Sequence, residues 1–498
     1  MTTLVPQPRT GDPAPAAPDR TPSAPRLAAP RRARRGVPIG VRARRDAAVR
    51  LGALSVLWLA LLLVTYWWTA AGGVLDLGGW ETGLTSVGRV TGLWSSVLLL
   101  AQVLLMARVP VLETAFGQDE LARVHRLVGF TSFSLMLAHI VLVTWGYAAG
   151  SLLASPRMLW DLVVDYPGML LAAAGSLALV MVVVTSIKAA RARLRYESWH
   201  LLHLYAYLGV GLALPHQLWT GTEFVSSPGR TVFWWTAWAL AAGAVVWWRI
   251  AVPVLRTLRL GLRVTSVVRE APGIVSVYLA GPGLARLDVA AGQFLTWRFL
   301  GRTGWTRANP YSLSAAPDGA SLRITVQSVG DGSAAVAALR PGQRALVEGP
   351  YGRLTERART RRRVALIGAG AGIAPLRALA EGLAYEPGEA AVLYRFTRDP
   401  LYRHEFETLA RERGLQVVPL PGHRRHPASW LGEHLGGPAD DPALAGVPDL
   451  AVATRWVPDL LERDVYVCGP AVWADLVRTD LLRAGLPAAQ LHLETFGW

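Results

Sequence analysis

The sequence predicts a multidomain membrane protein: a six-helix transmembrane bundle, then an antiparallel β-barrel domain and an α/β domain with a parallel sheet. Three observations support this fold class. Apolar residues make up 52% of the 498-residue chain and concentrate between residues 51 and 252, as membrane spans require. Short alternating strands punctuated by Gly and Pro begin near residue 261, as in small barrels. Strand–helix pairs follow from residue 363, which favours a parallel sheet.

The composition divides the chain into four parts. Residues 1–48, rich in Pro, Ala and Arg, are expected to form a disordered basic cytosolic tail. Residues 49–258 form the predicted membrane domain, 259–355 the barrel and 356–498 the α/β domain. The length fits about three domains at roughly 150 residues each.

The formal net charge of +16 indicates membrane orientation and excludes nucleic acid as the expected partner, because of where the charge lies. Basic residues precede the first apolar run and follow the fourth: Arg31, Arg32, Arg34, Arg35, Arg42, Arg44 and Arg45, then Lys188, Arg191, Arg193 and Arg195. Such clusters mark the cytoplasmic ends of spans and favour contact with the lipid bilayer. The single cysteine, Cys468, excludes an intrachain disulfide.

Six apolar runs are each close to the roughly 20 residues that a helix needs to cross the hydrocarbon. They are residues 51–72, 84–107, 123–146, 167–187, 200–219 and 231–252. Six crossings return the chain to its starting side. We therefore expect a multi-pass protein of the plasma membrane with both termini in the cytoplasm.

Histidine is the informative residue type in these spans. His125 and His139 lie on the third span, and His200, His203 and His216 lie on or beside the fifth. An ionisable group in hydrocarbon is costly without a partner, so each is a candidate functional residue. On an ideal helix His125 and His139 are separated by roughly 21 Å along the axis and about 40° around it. One face of the third span therefore presents an imidazole near each leaflet.

The third and fifth spans run in the same direction, so His125 can face His203 near the cytosol and His139 can face His216 near the outside. Two imidazoles at each depth are what six-coordinate haem needs. The spacing from His203 to His216 leaves them about 140° out of phase on an ideal helix, and Pro215 is expected to distort the span. His200 is a competing ligand, and helix–helix hydrogen bonding or a proton relay are other roles for membrane histidines.

This half resembles the ferric reductase transmembrane family, which includes the NADPH oxidases. The resemblance rests on His125-Arg126, on the spacing to His139, and on Tyr196-Glu197 followed by His203 and His216. It implies that His125, His139, His203 and His216 hold two b-type haems. Arg89 and Arg126 are expected either to pair with haem propionates or to snorkel to the interface.

The strands expected in the barrel are Arg263–Val268, Ile274–Leu279, Phe294–Phe299, Leu322–Val326 and Arg344–Glu348. Between them lies the segment Asn309-Pro310-Tyr311-Ser312-Leu313-Ser314. Its aromatic ring can stack on a flavin, and its hydroxyls can hydrogen-bond near the reactive nitrogen; a surface strand would carry the same residue types. Gly332 and Ser333 begin a short predicted helix that would suit a pyrophosphate, or form a plain turn.

A buried-type strand at 363–367 leads into the glycine-rich run Gly368-Ala369-Gly370-Ala371-Gly372-Ile373-Ala374-Pro375 and a helix. This order of strand, turn and helix is typical of a dinucleotide site, because the backbone can approach a phosphate closely. Further strand–helix pairs at 390–394, 415–419 and 464–468 complete the predicted parallel sheet.

Residues 261–498 resemble the ferredoxin-reductase type of FAD and NAD(P) module. The resemblance implies that Asn309, Pro310, Tyr311, Ser312 and Ser314 bind FAD and that Gly368, Gly370, Gly372 and Pro375 receive NAD(P)H. It places Cys468-Gly469-Pro470 near the nicotinamide and a terminal aromatic, Phe496 or Trp498, over the flavin. Cys468, Tyr311, Ser312 and Phe496 would be the catalytic group. The sequence departs from the family pattern at Asn309, Ala369 and Ala374.

Arg395 and Arg398 follow the strand beside which a 2′-phosphate would lie, which favours NADPH over NADH. The predicted activity is electron transfer from cytosolic NAD(P)H through FAD and two haems to an extracytoplasmic acceptor, a ferric chelate or dioxygen. One alternative is a membrane-anchored flavoprotein that reduces a separate redox protein. Another is a histidine-based proton channel with a redox-sensing domain.

Overall fold

The computed structural model describes residues 41–194, 196–301, 307–433 and 446–496. Most of the expected tail, residues 1–40, and the terminal Trp498 lie outside the described residues.

Long helices make up the described N-terminal half. They are α1 (Val41–Ala70), α2 (Trp80–Met106), α3 (Gln118–Tyr147), α4 (Met169–Ser186), α5 (Tyr196–Trp219) and α6 (Pro228–Ala244). Between them lie the short helices Pro110–Phe116, Ser155–Asp165, Lys188–Arg191 and Thr222–Val225. Helix α6 continues through a π-helical turn, Val245–Ala251, into Val252–Leu260, which leads directly to the first strand.

Helices α1, α2, α3, α4 and the continuous helix Pro228–Leu260 that begins with α6 are long and apolar enough to cross a membrane, which confirms five of the six predicted spans. Helix α5 has 24 residues and contains three histidines and Pro215, and it is not among these five helices. The sixth crossing stays a prediction.

The bundle is held together by close helix pairs, α2 along α3 and α4 along α5. Gly175 of α4 and Gly209 of α5 make the second approach possible. A Cβ on Gly175 would lie 2.7 Å from the Gly209 carbonyl oxygen, and one on Gly209 would lie 2.9 Å from that of Gly175. Small residues at such contacts are typical of membrane helices, where tight packing replaces hydrophobic burial.

The next part of the chain forms two three-stranded antiparallel sheets. Their strands are β1 (Arg263–Ala271), β2 (Ile274–Ala280), β3 (Phe294–Phe299), β4 (Asn309–Ser312), β5 (Leu322–Gln327) and β6 (Ala345–Tyr351), ordered β1-β2-β5 and β4-β3-β6. Isolated bridges between Arg263 and Arg344 and between Leu313 and Ile324 link the sheets. The five strands expected from the sequence are all present, and the two sheets share one apolar core.

The C-terminal part is a five-stranded parallel sheet in the order β11-β10-β7-β8-β9. Its strands are β7 (Val364–Ala369), β8 (Ala390–Phe396), β9 (Gln416–Pro421), β10 (Asp464–Pro470) and β11 (Leu491–Phe496). The helices are α7 (Ile373–Gly382), α8 (Arg403–Arg413), α9 (Asp449–Trp456) and α10 (Ala471–Arg483). Apolar clusters cover both faces of the sheet, as a parallel sheet requires.

Candidate functional site

Helices α3 and α5 bring two of the predicted haem ligands face to face. The ring centroids of His125 and His203 are 6.1 Å apart, with an interplanar angle of 72°. A metal–imidazole bond is about 2.0–2.1 Å long, so two rings on opposite sides of one ion would have centroids about 6 Å apart. The spacing therefore fits a pair of axial ligands.

One nitrogen of each of three rings contacts a protein oxygen. Nδ1 of His125 lies 3.3 Å from the Gln102 carbonyl oxygen, and Nδ1 of His203 lies 3.3 Å from Oγ of Ser186. Nδ1 of His139 is 2.7 Å from the carbonyl oxygen of Gly88. Such contacts orient an imidazole and leave Nε2 as the free coordinating nitrogen.

His139 and His216 form the second predicted pair and lie within electrostatic reach of each other. Nδ1 of His216 is buried without a well-formed hydrogen bond among the described residues. Pro215 lies inside α5, and both His203 and His216 approach α3 despite the ideal-helix phase. A Cβ on Gly168 would lie 2.8 Å from the His216 backbone nitrogen, so the start of α4 packs tightly beside this histidine.

Two glycines of α2 make room for α3, Gly92 for His139 and Gly88 for Val143, and neither is among the site residues predicted from the sequence. A Cβ on Gly92 would lie 2.6 Å from Nδ1 of His139, and one on Gly88 would lie 2.7 Å from Cγ2 of Val143. The spacing Gly-x-x-x-Gly in an apolar run is a known signature of close helix contact, so it could have been found.

Trp199 stacks beside His203 on α5. The two ring centroids are 5.0 Å apart, and Nε1 of Trp199 donates to Oγ of Ser186, which also contacts His203. The guanidinium of Arg191 lies 4.4 Å from the centre of the Trp199 ring. His200, the competing ligand, lies near Arg249 and Arg298 and so toward the barrel.

Arg89 has acidic partners within the protein. Its guanidinium forms an ion pair with Glu223, which also pairs with Arg230, and Asp76 lies 3.8 Å away. Glu223 is 5% exposed. Arg89 therefore already has a carboxylate partner, which sequence reasoning did not anticipate, whereas Arg126 is exposed.

Within the described residues, no cluster of three or more His, Cys, Asp or Glu is arranged to hold a metal ion. A haem brings four of its own nitrogen ligands and needs only two from the protein. The histidine pairs therefore fit this cofactor better than they fit a free ion.

The predicted flavin segment forms β4, which pairs with β3 so that Tyr311 lies opposite Leu295. Oδ1 of Asn309 lies 3.5 Å from the position of a Cβ on Gly332, so these two predicted cofactor residues are neighbours. Nδ2 of Asn309 is buried without a hydrogen-bond partner among the described residues. A buried amide of this kind suits an acceptor oxygen from a bound cofactor.

Two predicted cofactor serines make hydrogen bonds within the protein. Oγ of Ser333 accepts from the backbone nitrogens of Val329 and Gly330 at 2.9 and 3.1 Å. Ser314 is fully buried, and its Oγ accepts from Arg323 and Thr325 at 3.1 and 2.8 Å. Ser333 therefore closes its own turn, whereas Ser314 is held by neighbouring residues of the barrel; Ser312 is also buried.

The glycine-rich turn lies where the sequence places it, between β7 and α7. Gly370 has φ +54° and open space around its missing side chain. A Cβ on Gly372 would lie 2.4 Å from the carbonyl oxygen of Cys468, and one on Gly469 would lie 2.7 Å from the ring of Trp473. The turn therefore packs directly against the Cys468-Gly469-Pro470 strand end, leaving one open glycine for a phosphate to approach.

Cys468 is fully buried at the end of β10, beside Glu494 of β11. Burial, and then the nearby Glu494 charge, raise the pKa of its thiol well above the usual value. Pro470 pairs in register with Phe496, so the backbone of Phe496 lies beside the Cys468-Gly469-Pro470 strand end. The Phe496 side chain and Trp498 lie outside the described residues, and which of them covers the flavin stays open.

Arg395 ends β8 in register with Ala369, at the edge of the sheet that carries the glycine turn. Its Nε is buried without a hydrogen-bond partner among the described residues. Burial first, and then the charge of nearby Arg424, lower its pKa, which Glu433 partly offsets. Arg424 was missed because it comes from the loop after β9, whereas Arg398 lies in an exposed turn.

A polar joint connects the membrane half to the reductase half. Arg108, which has φ +65°, donates to Oε1 of Glu113 at 2.7 Å and lies 4.1 Å from the centre of the Tyr351 ring of β6. Oγ1 of Thr257 contacts the backbone of Val347 on the same strand. The joint holds β6 against the loop that follows α2.

Comparison with known proteins finds similarity in both halves of the chain. Residues 91–214 match the family described as "Ferric reductase like transmembrane component". The chain is 27% identical over 252 residues to the ferredoxin reductase component of 3-ketosteroid-9-alpha-monooxygenase from Mycobacterium tuberculosis, covering 48% of this chain and 65% of that protein. It is 29% identical over 212 residues to a flavohemoprotein of Xylella fastidiosa, covering 42% and 51%. The chain thus spans about half to two thirds of these relatives.

Among solved structures, the flavohem-like FAD/NAD binding domain of nitric oxide dioxygenase from Vibrio cholerae is similar to part of the chain. The identity is 24% and the TM-score is 0.38, with 48% of this chain and 100% of that structure covered.

Proposed function

We propose that this chain, which joins a ferric reductase like transmembrane component to a ferredoxin-reductase-type FAD/NAD-binding module, is a transmembrane NAD(P)H oxidoreductase. Electrons pass from cytosolic NAD(P)H through FAD and two b-type haems to an extracytoplasmic acceptor, either a ferric chelate or dioxygen. The observation that carries the proposal is the pair of facing imidazoles, His125 and His203, at 6.1 Å.

The residues divide the work by chemistry. His125 and His203 would hold the inner haem, and His139 and His216 the outer one. The backbone carbonyls of Gln102 and Gly88 keep two of the rings oriented. When bound, the flavin supplies conversion of a two-electron hydride into single electrons, and haem supplies one-electron carriage. The Cys468 thiol, which is buried and stays protonated near neutral pH, would pack beside the nicotinamide ring and would not exchange a proton there.

NADPH is the coenzyme that the residues favour. Arg395 and Arg424 put two guanidinium groups near the carboxyl end of β8, and guanidinium binds phosphate well. The unpaired Nε of Arg395 supports a phosphate as the missing acceptor. NADH lacks the 2′-phosphate that would use this charge.

The proposed topology has six crossings, with α5 as the fifth. The basic residues that precede α1 and follow α4 would lie in the cytoplasm of a cell whose plasma membrane holds the protein. Both termini then lie inside, on the side that supplies NAD(P)H.

A second candidate function is a membrane-anchored reductase that passes electrons to a separate redox protein. The M. tuberculosis relative, named as a ferredoxin reductase component of a monooxygenase, favours it. This function needs FAD and NAD(P)H but no haem, so haem content separates the two candidates.

The test is a reduced-minus-oxidised absorption spectrum of purified membranes from wild type and four variants, His125→Ala, His139→Ala, His203→Ala and His216→Ala. His200→Ala is the matched control on α5. We expect each of the four variants to lose haem absorbance and the control to keep it. Full haem content in all four would refute the ligand assignment. A wild type with FAD but without haem would favour the second candidate.

A further inference from the structure

Four charged side chains meet where the barrel contacts the parallel sheet; three are buried, and Glu405 is partly exposed. Arg323 belongs to β5, Arg377 and Glu381 to α7, and Glu405 to α8. Arg323, Arg377 and Glu381 are 3%, 3% and 5% exposed. Buried charges are costly unless they are paired and hydrogen-bonded, so this arrangement needs an explanation.

The four groups neutralise one another. Arg323 donates from Nη1 and Nη2 to the two carboxylate oxygens of Glu405, at 2.7 and 3.0 Å. Arg377 pairs with Glu405 and with Glu381. The network thus holds two positive and two negative charges and connects three elements of two domains.

The network converges on Ser314, two residues after the predicted flavin strand. Its carbonyl oxygen accepts from Nη2 of Arg323 at 2.6 Å and from Nη1 of Arg377 at 3.3 Å. Oε2 of Glu381 accepts from the backbone nitrogen of Ala316 at 2.7 Å. The backbone that follows β4 is therefore held by three hydrogen bonds to charged groups, two from α7 and one from Arg323 of β5. Hydrogen bonds of this kind are the stronger ones.

Helix α7 begins directly after Gly372, the last glycine of the dinucleotide turn. Arg377 lies in its second turn and so connects the turn to Ser314 through a short, rigid path. The flavin segment and the nicotinamide turn come from different domains, and two domains of one chain are expected to move relative to each other unless specific contacts hold them.

We propose that Arg377, acting with Glu381 and Glu405, is a positioning residue that sets the distance and angle between the flavin segment 309–314 and the turn 368–372. This inference rests on the proposed NAD(P)H oxidoreductase function. The rate of hydride transfer falls steeply as the distance between the nicotinamide and the flavin grows, and a displacement of about 1 Å can lower the rate about 100-fold. The network therefore acts on the hydride-transfer step, and binding of either cofactor depends on other residues.

The test compares full-length wild type with Arg377→Met. Arg403→Met is the matched control, because Arg403 forms an exposed ion pair with Glu407 on α8. We expect Arg377→Met to slow anaerobic flavin reduction by NADPH about 10- to 100-fold and to weaken the charge-transfer absorbance of the nicotinamide–flavin complex. FAD content and the Kd for NADPH should stay within about threefold of the wild-type values. Arg377→Lys should restore part of the rate, because Lys keeps the positive charge but lacks the planar guanidinium that donates several hydrogen bonds.

A second readout needs no cofactor. Hydrogen exchange of the backbone amides of residues 313–316 should be faster in Arg377→Met than in wild type and unchanged in Arg403→Met. If Arg377→Met loses FAD or does not fold, Glu381→Gln and Glu405→Gln replace it, since each keeps an acceptor oxygen and removes one charge. Wild-type flavin reduction and exchange in these variants, or equal effects in the control, would overturn the proposal. A wild type that NADPH does not reduce would instead refute the proposed function, while the exchange measurement would still decide whether the network orders Ser314.

Discussion

Substitution of Gly92 by alanine is expected to remove the outer haem and leave the inner one in place. The added Cβ would lie 2.6, 2.9 and 3.0 Å from Nδ1, Cε1 and Cγ of His139. Comfortable non-bonded contacts are about 3.5–4.0 Å, so the ring would have to move by about 1 Å. That movement separates Nδ1 from the Gly88 carbonyl oxygen, now 2.7 Å away.

The energetic cost can be worked from these contacts. Overpacking costs about 1–3 kcal/mol, and the lost hydrogen bond about 0.5–1.5 kcal/mol. Replacing glycine by alanine inside a helix returns up to about 1 kcal/mol. The net cost is about 0.5–3.5 kcal/mol, which corresponds to roughly 2- to 300-fold weaker binding of the outer haem at 1.4 kcal/mol per tenfold.

The assay is the haem-to-protein ratio, with the reduced-minus-oxidised spectrum, for Gly92→Ala purified with haem at limiting concentration. Gly83→Ala is the control on the same helix, because its Cβ would meet backbone atoms of Leu77 and Asp76 only at ordinary contact distances of 3.6 and 3.7 Å. We expect the ratio to fall toward half in Gly92→Ala and to stay at the wild-type value in Gly83→Ala. An unchanged ratio and spectrum in Gly92→Ala would mean that His139 does not hold haem in this position.

Three further predictions concern the reductase half. Because burial raises the pKa of the only cysteine, Cys468, a thiol reagent at pH 8 should label the folded chain at least about 100-fold more slowly than the urea-unfolded chain; comparable rates would contradict its burial. Arg395→Ala should raise the KM for NADPH more than about tenfold and leave that for NADH within about twofold, and equal changes would rule out phosphate recognition. For Glu405, burial alone would raise the pKa, but hydrogen bonds and charges from Arg323 and Arg377 outweigh it and lower the pKa below its usual 4.5. Because the folded-state pKa is lowered, ionised Glu405 stabilises the fold above about pH 4.5, and this stabilisation is lost as the pH falls below that value. Glu405→Gln should therefore flatten the Tm-versus-pH curve below about pH 4.5. An unchanged curve at acidic pH would show that the ion pairs of Glu405 with Arg323 and Arg377 contribute nothing to stability.

Local patterns in the sequence predicted the elements well. The strand Phe294–Phe299 was expected from alternation alone and has those bounds as β3. The glycine-rich run was expected between a strand and a helix, and it lies between β7 and α7. Such features depend on backbone preferences and hydrophobic period, which neighbouring residues determine.

Partners that are distant in sequence could not be predicted. Ser314 was expected to bind a cofactor, but its hydroxyl accepts from Arg323 and Thr325. Arg89 was expected to meet a propionate or the interface, and it pairs with Glu223, 134 residues away. Side-chain type and spacing specify which hydrogen bonds a residue can make, but not which donor the fold brings within 3 Å.

The sequence by itself determined that this chain has a membrane half with histidines on two helices and a reductase half with a glycine turn, because apolar period and turn chemistry are local properties. Only the tertiary structure decided that His125 and His203 stand 6.1 Å apart, that Gly92 makes room for His139, and that Arg377 joins the two cofactor segments. Those facts depend on how closely helices and sheets approach, and close approach is a property of packed surfaces that no single stretch of sequence contains.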